Sequence, residues 1–518
     1  MAFKDTFTHV AVSFLFAIGA VSCQSPTVTI SSGPVIGTQT SVPNFAGTVN
    51  KFLGIPFAAP PQRFSPPQNP ASWTSPLSAT ALKPACIQQF NYPEDTRNFT
   101  IKVFSTPMPE ESEDCLYVNV YAPSTAAPRG GRPVMFWIYG GNLQFGTGSL
   151  PIYDGSNLAA VQDVIVVTHN YRTNVFGFPN APGIPPTEQN LAFLDQRKAL
   201  DWTYKNIAKF GGDPTKITIF GESAGGYSVK QLYVNPPNPL PFRAAIMQSQ
   251  AASFAAGSSG WDGLASALNC TGTAALECVR AAPASKVKDI VERQALSFGP
   301  VVDNVTASNT VAAELKAGDT AKVPILIGTN AQEGSAFAIS LGLNFPGAFE
   351  AFLTTIPIPE IQEALRTFYA PLDTDILKVG QAITDLTFHC PASQVASIPA
   401  SINTPVWRYF FNSTFANDTP FEGSGAYHSS EIPYIFGTYK RDGSVPQQEL
   451  LSLLMQTSWA SFAKNPTLGP GSGWPKLTPS GNGTQVWHFG SREPAYIPAS
   501  TLDAVCPILA PIIALSGI

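Results

Sequence analysis

Six short apolar runs recur along the chain and limit the folds that it can adopt. Because polar residues do not alternate through these runs, they predict strands that are covered on both faces. Helical patterns lie between them, most clearly LDWTYKNIAKF at 200–210, which ends at Gly211, Gly212 and Pro214. Strands that alternate with helices predict an α/β fold with a large, mainly parallel sheet. The six runs are VMFWIY at 134–139, DVIVVTHNY at 163–171, KITIF at 216–220, AAIMQ at 244–248, VPILIG at 323–328 and VWRYFF at 406–411.

The N-terminus has the layout of a secretory signal peptide. Lys4 precedes an apolar stretch at 10–20, and small residues follow before Gln24. This stretch is too short to span a bilayer, and the alternative is a buried first strand or helix. We therefore predict that residues 1–23 are removed and that the protein is secreted. Residues 24–518 are predicted to form a single domain, because composition marks no boundary within them.

Cysteines and glycosylation motifs agree with an extracellular location. Cleavage after Cys23 would leave six cysteines, an even number that suits a disulfide-bonded protein, although cleavage after Ser22 also fits the small-residue rule. Asn-x-Ser/Thr motifs predict sites of N-glycosylation, not all of which need be used. The motifs begin at Asn98, Asn269, Asn304, Asn412, Asn417 and Asn482.

Charge excludes one class of partner. The chain carries a formal net charge of -5, and only 13% of its residues are charged. It contains no block of lysine or arginine that could neutralise a phosphate backbone. We therefore expect no nucleic acid partner, whereas the oligomeric state is left open by the sequence.

One serine lies in the sequence context of a nucleophile. KITIF leads into GESAGG, which places Ser223 between Gly221 and Gly225, after a predicted strand and at the start of a helix. In the G-x-S-x-G motif this context raises the serine above the sheet. The helix N-terminus offers amide donors for an oxyanion, among them the N–H of Ala224. The alternative is a serine in a glycine-rich turn that has no chemical role.

A base and an acid for this serine can be sought among few residues. A serine hydroxyl needs a base to take its proton, and His428 lies in the loop-like stretch GSGAYHSSEIPYIFG that follows the serine in the chain. Glu333 comes just after the predicted strand VPILIG and could orient the imidazole, although an exposed loop carboxylate is the alternative. The other histidines are His9 in the signal peptide, His169 in an apolar run, His389 beside Cys390 and His488 in VWHFG.

Together, these residues resemble the type B carboxylesterases, the family that includes cholinesterases and secreted fungal lipases. The resemblance implies an α/β-hydrolase fold with lid-like insertions, the triad Ser223, Glu333 and His428, and no metal or cofactor. Its matching stretches, besides the His428 segment, are VNKFLGIPFAAPPQRFSPP at 49–67, SEDCLYVNVYAP at 112–123, LDQRKALDWTYKNIAKFGGDP at 194–214, FGESAGG at 220–226 and ILIGTNAQEGSAF at 325–337.

The resemblance also implies an oxyanion hole and three disulfides. The residues that match the family's oxyanion donors are Gly141, Asn142 and Ala224, with asparagine where the family usually has a third glycine. Asparagine tolerates a positive φ, so its amide can still point inward. Arg63 and Glu113 match a buried structural ion pair. The disulfides implied are Cys86–Cys115, Cys270–Cys278 and Cys390–Cys506.

The expected substrate is a hydrophobic ester, of the lipase, sterol-ester or broad carboxylesterase type. Residues 86–115 resemble the lid of secreted fungal lipases, and their mixture of aromatic and charged side chains fits either a lipid interface or an ordinary surface loop. They contain no tryptophan to bind a quaternary ammonium, so a choline ester is not expected as the preferred substrate.

Three alternatives stay open at this point. An aromatic-acid esterase of the feruloyl type would use the same triad. A non-catalytic adhesion or binding protein could share the fold, although such relatives typically lack a triad residue. The apolar tail at 507–518 fits either a membrane anchor or a packed terminal segment that Cys506 tethers.

Overall fold

The computed structural model describes residues 25–43, 45–254, 260–478, 485–490 and 494–518. The predicted signal peptide, residues 1–23, and the predicted glycosylation site Asn482 lie outside the described residues.

A large mixed sheet runs through the molecule. The strands of the described residues, β1 to β14, are Thr27–Ile30, Gly33–Ile36, Thr38–Ser41, Thr48–Pro56, Leu77–Ser78, Tyr117–Pro123, Arg132–Ile138, Ile165–His169, Gly212–Glu222, Ala244–Gln248, Ile325–Asn330, Val406–Asn412, Gln485–Gly490 and Ala495–Pro498. Eleven of them form one sheet in the order β14-β13-β12-β11-β10-β9-β7-β8-β6-β4-β3, and β1, β2 and β5 form a small second sheet.

The central strands of the large sheet are parallel. Neighbours from β8 through β7, β9, β10, β11 and β12 to β13 all pair in the parallel sense. The outer pairs β3–β4, β4–β6, β6–β8 and β13–β14 are antiparallel. The predicted α/β fold with a mainly parallel sheet is therefore confirmed, and the six apolar runs correspond to β7 through β12.

Burial explains why these strands carry unbroken apolar runs. Every residue of β8, β10 and β11 is buried, because helices cover both faces of a parallel sheet. β-branched valine and isoleucine are common in these strands and pack well on the pleated surface. The carboxyl ends of adjacent parallel strands therefore meet at one edge of a rigid, dry scaffold.

Helices cover the sheet and fill its connections. The α-helices of the described residues, α1 to α19, are Glu94–Phe104, Ser156–Gln162, Asn174–Gly177, Pro186–Gln189, Leu191–Asn206, Ala224–Val234, Gly260–Ala267, Ala275–Ala281, Ala284–Arg293, Val311–Ala317, Gly334–Ser340, Ala348–Leu353, Pro359–Tyr369, Asp375–Ile383, Cys390–Ser401, Ile432–Phe436, Gln447–Lys464, Ala499–Leu502 and Cys506–Ala514. A π-helical turn, Thr384–His389, joins α14 to α15. Among the residues described, no helix is both long and apolar enough to cross a bilayer.

The predicted end of the helix at 200–210 needs one correction. α5 ends at Asn206, and a 3₁₀ turn, Ile207–Phe210, follows. Gly211 then takes a φ of 87°, which suits glycine as the residue that ends a helix. Gly212 and Pro214 do not belong to this stop, because β9 already begins at Gly212.

The three expected disulfides are formed. Cys86–Cys115 closes the 86–115 loop, and Cys270–Cys278 joins two nearby segments. Cys390–Cys506 connects α15 to α19. The apolar tail packs against the body of the protein, since Leu509, Ile513 and Ile518 are all buried.

Candidate active site

Ser223 occupies a strained turn between β9 and α6. Its φ is 58° and its ψ is -121°, and its N–H donates to the Gln248 carbonyl at 2.9 Å. A Cβ on Gly221 would lie 2.7 Å from the Gly225 carbonyl carbon, and one on Gly225 would lie 2.0 Å from the Ile138 oxygen. Only glycine fits at these two positions, and a turn this tight presents the serine above the sheet.

Glu333 and His428 meet beside this turn. Oε2 of Glu333 lies 2.6 Å from Nδ1 of His428. The other carboxylate oxygen of Glu333 accepts the N–H of Asn330, the last residue of β11, at 2.6 Å. Glu333 is fully buried, so the alternative of an exposed loop carboxylate is wrong. The carboxylate fixes the imidazole with its Nε2 available for chemistry.

Nε2 of His428 has an unusual environment. It is buried, and within the part of the chain that the structure describes it makes no hydrogen bond. Oε1 of Glu222 lies 3.2 Å from it. Hydrogen bonds between a base and its nucleophile often tighten only in the substrate complex. Because Nε2 makes no structural hydrogen bond among the described residues, it is free to accept a proton.

Two further carboxyl groups surround the imidazole, and the motif analysis did not identify them. Glu222 accepts a hydrogen bond from the Ser429 hydroxyl at 2.7 Å. Glu431 accepts from the side-chain amides of Asn330 at 2.7 Å and Gln248 at 2.9 Å. Both glutamates are buried. Only their positions in the sequence could have pointed to them: Glu222 precedes Ser223, and Glu431 follows His428 by three residues.

These carboxyl groups control the protonation of His428. Burial alone would lower the pKa of the imidazole, but Glu222, Glu333 and Glu431 together raise it to about 9. Burial raises the pKa of Glu222 to about 8, the charge of His428 opposes this rise, and the charge of Glu431 adds to it. A protonated carboxyl group no longer attracts an imidazolium. The charge of Glu222 therefore affects how readily His428 becomes the neutral base.

The predicted oxyanion loop lies directly against the serine. A Cβ on Gly140 would lie 2.8 Å from Cβ of Ser223. Gly141 and Asn142 follow with φ values of 108° and 58°, so Asn142 adopts the left-handed conformation expected of it. Its side chain is exposed and donates to Oε1 of Gln144 at 3.0 Å. Ala224 begins α6, where N–H groups lack partners within the helix.

Aromatic rings enclose the imidazole. The ring centroids of Phe104, Phe337 and Phe388 lie 6.2, 5.0 and 4.6 Å from that of His428. Phe337 belongs to α11 and Phe388 to the π-helical turn, whereas Phe104 is the last residue of α1. The 86–115 loop therefore reaches into the site from outside the sheet.

The 86–115 loop is anchored at its base to α9. Lys288 donates to both carboxylate oxygens of Glu111, at 2.6 and 2.7 Å. The Glu292 carboxylate accepts the N–H of Phe90 at 3.0 Å. Between these anchors α1 has no buried residue. The loop thus combines a fixed base with a helix held mainly by aromatic contacts.

The remaining predicted residues fall outside this site. Arg63 pairs with Glu113 at 2.6 Å and is nearly buried, but the Glu113 side chain is 33% exposed, so the expectation of a buried pair holds only for the arginine. The amide of Asn417 donates to both Asp442 and Gln448. The other glycosylation candidates in the described residues, Asn98, Asn269, Asn304 and Asn412, are exposed.

Comparison with known proteins gives relatives of similar length. Residues 24–496 match the carboxylesterase family. The chain is 31% identical to the Fumonisin B1 esterase of Sphingopyxis macrogoltabida, over 93% of this chain and 91% of the relative. It is 34% identical to the para-nitrobenzyl esterase of Bacillus subtilis, over 84% of this chain and 89% of the relative. It is 32% identical to the cholinesterase of Mus musculus, over 87% of this chain and 81% of the relative. Because these matches span most of each chain, the protein belongs to the carboxylesterase family and is a carboxylic ester hydrolase.

Proposed function

We propose that Ser223, His428 and Glu333 form the catalytic triad of a secreted esterase for hydrophobic esters. The observation that carries this proposal is the 2.6 Å contact between Glu333 and His428 beside the strained turn of Ser223. A carboxylate, an imidazole and a serine in this arrangement are the parts that nucleophilic ester hydrolysis requires.

Catalysis then proceeds through an acyl-enzyme. Oγ of Ser223 attacks the ester carbonyl while Nε2 of His428 takes the hydroxyl proton. The tetrahedral intermediate collapses, and His428 returns that proton to the leaving alcohol. Water then attacks the acyl-enzyme with His428 as base, which releases the acid and restores Ser223. Glu333 stabilises the imidazolium at each step without itself being protonated.

The N–H groups of Gly141, Asn142 and Ala224 stabilise the oxyanion. Support comes from the close approach of the glycine loop to Ser223 and from the position of Ala224 at the start of α6. Each such donor contributes roughly 3 kcal/mol to the transition state. No cofactor has a role in these steps.

The substrate proposal rests on the aromatic surroundings of His428. Phe104, Phe337 and Phe388 offer an apolar lining to the ester, which favours hydrophobic acyl or alcohol groups. Because α1 has no buried residue, we include in the proposal that it acts as a lid at a lipid interface. A lipase or a broad carboxylesterase of hydrophobic esters fits these features.

Secretion and N-glycosylation are part of the same proposal. Three disulfides and four exposed asparagines in the predicted motifs support it. Asn417 is the weakest candidate for a glycan, since both hydrogen-bonding directions of its amide are already used. Mass spectrometry of the secreted protein checks each motif and the mature N-terminus.

Active-site labelling tests the proposed nucleophile. We expect an organophosphate to label the intact protein once, with loss of all esterase activity, and to leave Ser223→Ala unlabelled. Ser401→Ala, at an exposed serine on α15, is the matched control and should label like the wild type. Equal labelling of Ser223→Ala would contradict the assignment. A panel of alkyl, sterol and aromatic-acid esters then distinguishes the substrate types.

A further inference from the structure

The 248–254 segment, the end of β10 and the residues after it, connects the proposed nucleophile to the other side of the site. At its start, the carbonyl group of Gln248 accepts the N–H of Ser223 at 2.9 Å. Four residues later, the N–H of Ala252 donates to the Thr387 carbonyl at 2.9 Å, and Thr387 belongs to the π-helical turn. The segment therefore joins the turn of the serine to the π-helical turn through backbone hydrogen bonds.

The π-helical turn forms one wall around the proposed base. Its residue Phe388 has its ring centroid 4.6 Å from that of His428, closer than the rings of Phe104 and Phe337. Turns of this type within helices are frequent at functional sites, because the extra residue changes where a side chain points. A displacement of the turn would therefore move the nearest aromatic ring away from the imidazole.

Two side chains of α6 hold the 248–254 segment. Lys230 is buried, and its ammonium donates to the carbonyl oxygens of Ala251 at 3.1 Å and Ala252 at 2.7 Å. Tyr227, one turn earlier on the helix, packs on Phe254 with the ring centroids 5.0 Å apart. Hydrogen bonds from an ammonium are stronger than those between neutral groups. Lys230 is therefore the main side-chain attachment of the segment to the helix.

Lysine is a costly residue at this position. Burial opposes the ammonium form and lowers the pKa of Lys230 to about 7. Among the described residues, its ammonium has no carboxylate within ion-pair distance. An apolar side chain could fill buried space without this cost. Residues that lower stability are expected where a structure serves its reaction, and the helix that carries Lys230 is the one that begins at Ser223.

We propose that Lys230 is a positioning residue for ester hydrolysis: it fixes the 248–254 segment, and through that segment it keeps Phe388 against His428. This inference rests on the proposed roles of Ser223 and His428 and adds a residue that sets their relative position. Because the imidazole has to take the serine proton in a defined geometry, a small displacement of the π-helical turn slows the reaction. If Lys230 only satisfied two carbonyl groups, a folded variant would lose stability and keep its catalytic rate.

A double-mutant cycle tests this proposal. Lys230→Met removes the ammonium and keeps an unbranched side chain, and Phe388→Leu removes the ring beside His428. The measured quantity is kcat/KM for a neutral ester, ethyl hexanoate. We expect each variant to lose roughly tenfold, within the loss of about 100-fold that a displacement of about 1 Å can cause. Because both changes affect the same contact, the double variant should lose about as much as either single variant.

Two further variants accompany the cycle, and circular dichroism shows which of them fold. Lys205→Met, at an exposed lysine of α5, removes the same charge elsewhere and should keep the wild-type kcat/KM. Lys230→Gln keeps an amide donor for the carbonyl groups, so it should fold more readily than Lys230→Met and show a smaller loss of kcat/KM.

Three results would overturn the inference. The first is an unchanged kcat/KM in folded Lys230→Met, or in Lys230→Gln if only that variant folds. The second is a double variant in which the two losses multiply. The third is failure of both Lys230 variants to fold, since the lysine would then serve the fold alone. If the wild type cleaved neither ethyl hexanoate nor any ester of the panel, the proposed function itself would fail.

Discussion

Glu222 is close to both the proposed nucleophile and the proposed base. It precedes Ser223 in the chain, and its Oε1 lies 3.2 Å from Nε2 of His428. A negative charge at this distance favours the imidazolium, which cannot accept a proton from Ser223. The same charge stabilises the imidazolium that forms during attack. Glu222 therefore has opposite effects on the resting enzyme and on the transition state.

Replacing Glu222 by glutamine should separate these two effects. Because glutamine carries no charge, Glu222→Gln should lower the pKa of His428 and move the acid limb of the kcat/KM profile to lower pH. The maximal rate should fall roughly tenfold, since the transition state loses a nearby charge. Measurement of kcat/KM for a neutral ester between pH 4 and 10 (about the range in which both groups titrate) checks both changes.

Ser429→Ala is the matched control for this prediction. It removes the hydroxyl that donates to Glu222 but keeps the carboxyl group. The acid limb should then stay near its wild-type position, because the carboxyl group remains. Any movement should be small and toward lower pH, because the carboxylate loses a donor, its own pKa rises and it attracts the imidazolium less. A shift in Ser429→Ala as large as that in Glu222→Gln would contradict the charge argument.

At the residue scale, the sequence was sufficient to identify a site residue where a motif determines the local structure around that residue. Ser223 could be identified because G-x-S-x-G after an apolar run produces its turn locally. Glu431 could not, because its burial and its contacts with Asn330 and Gln248 depend on how the His428 segment packs against the ends of β10 and β11. The same holds for Phe388, which contacts His428 from a distant π-helical turn. Local patterns do not encode such contacts.

Helix α1 is attached to the protein in two different ways. Its loop is fixed at the base by a disulfide and by the bonds of Glu111 and Phe90 to α9. Its far end is held by aromatic contacts, with the Phe104 ring 6.1 Å from that of Phe337 and the Phe99 ring 5.3 Å from that of Phe421. Contacts of this kind are the ones most easily exchanged for contacts with a lipid or a substrate.

Phe104→Ala should release α1 from the site. The loss of one aromatic contact corresponds to roughly 1 kcal/mol, or about a fivefold larger open population. If α1 is a lid, the wild-type rate should rise as an ester passes its solubility limit, and the variant should show a smaller rise from a higher starting rate. Lys102→Ala, at an exposed position of the same helix, should behave like the wild type. A variant that kept the full rise would contradict a lid role for Phe104.

At the element scale, predictability followed the degree of burial. The central strands β7 to β12 were recognisable because complete burial gives an uninterrupted apolar run. The antiparallel edge strands and the small sheet of β1, β2 and β5 were not, because half-exposed strands mix polar and apolar residues. α1 was expected only as part of a loop, because its aromatic residues contact a partner surface that the sequence does not reveal.

The C-terminal segment closes the molecule by a covalent bond and an ionic cluster. Cys390–Cys506 joins α15 to α19. Asp503 forms an ionic cluster beside this disulfide. Its carboxylate accepts hydrogen bonds from Arg408 at 2.7 and 2.9 Å and lies 3.0 Å from Nε2 of His389. Burial alone would raise the pKa of Asp503, but Arg408 and His389 hold it well below its ordinary value.

Asp503→Asn should destabilise the whole fold. Arg408 would keep its buried charge without a partner, which we expect to cost about 3 kcal/mol of unfolding free energy at neutral pH. The pKa of Asp503 is lower in the folded state, so its contribution is fully present above about pH 4 and is lost as the pH falls through the folded-state pKa. The difference between the two proteins should therefore shrink in acid.

Chemical denaturation at several pH values checks this prediction. Asp289→Asn, which removes an exposed partner of Arg293, is the control and should unfold close to the wild-type midpoint at each pH. A constant difference between wild type and Asp503→Asn down to pH 2 or so would show that the carboxylate charge is not responsible.

The large sheet also separates the parts of the enzyme that can differ between relatives from the parts that have to keep their geometry. Ser223 follows β9 and Glu333 follows shortly after β11, with only β10 between these strands. Two strand spacings, about 10 Å, therefore fix the distance that the His428 loop has to bridge. The long helical connections after β10 and beyond Glu333 do not contribute to this distance. Exchange of these connections between relatives would thus change which esters enter while the hydrolytic centre keeps its dimensions.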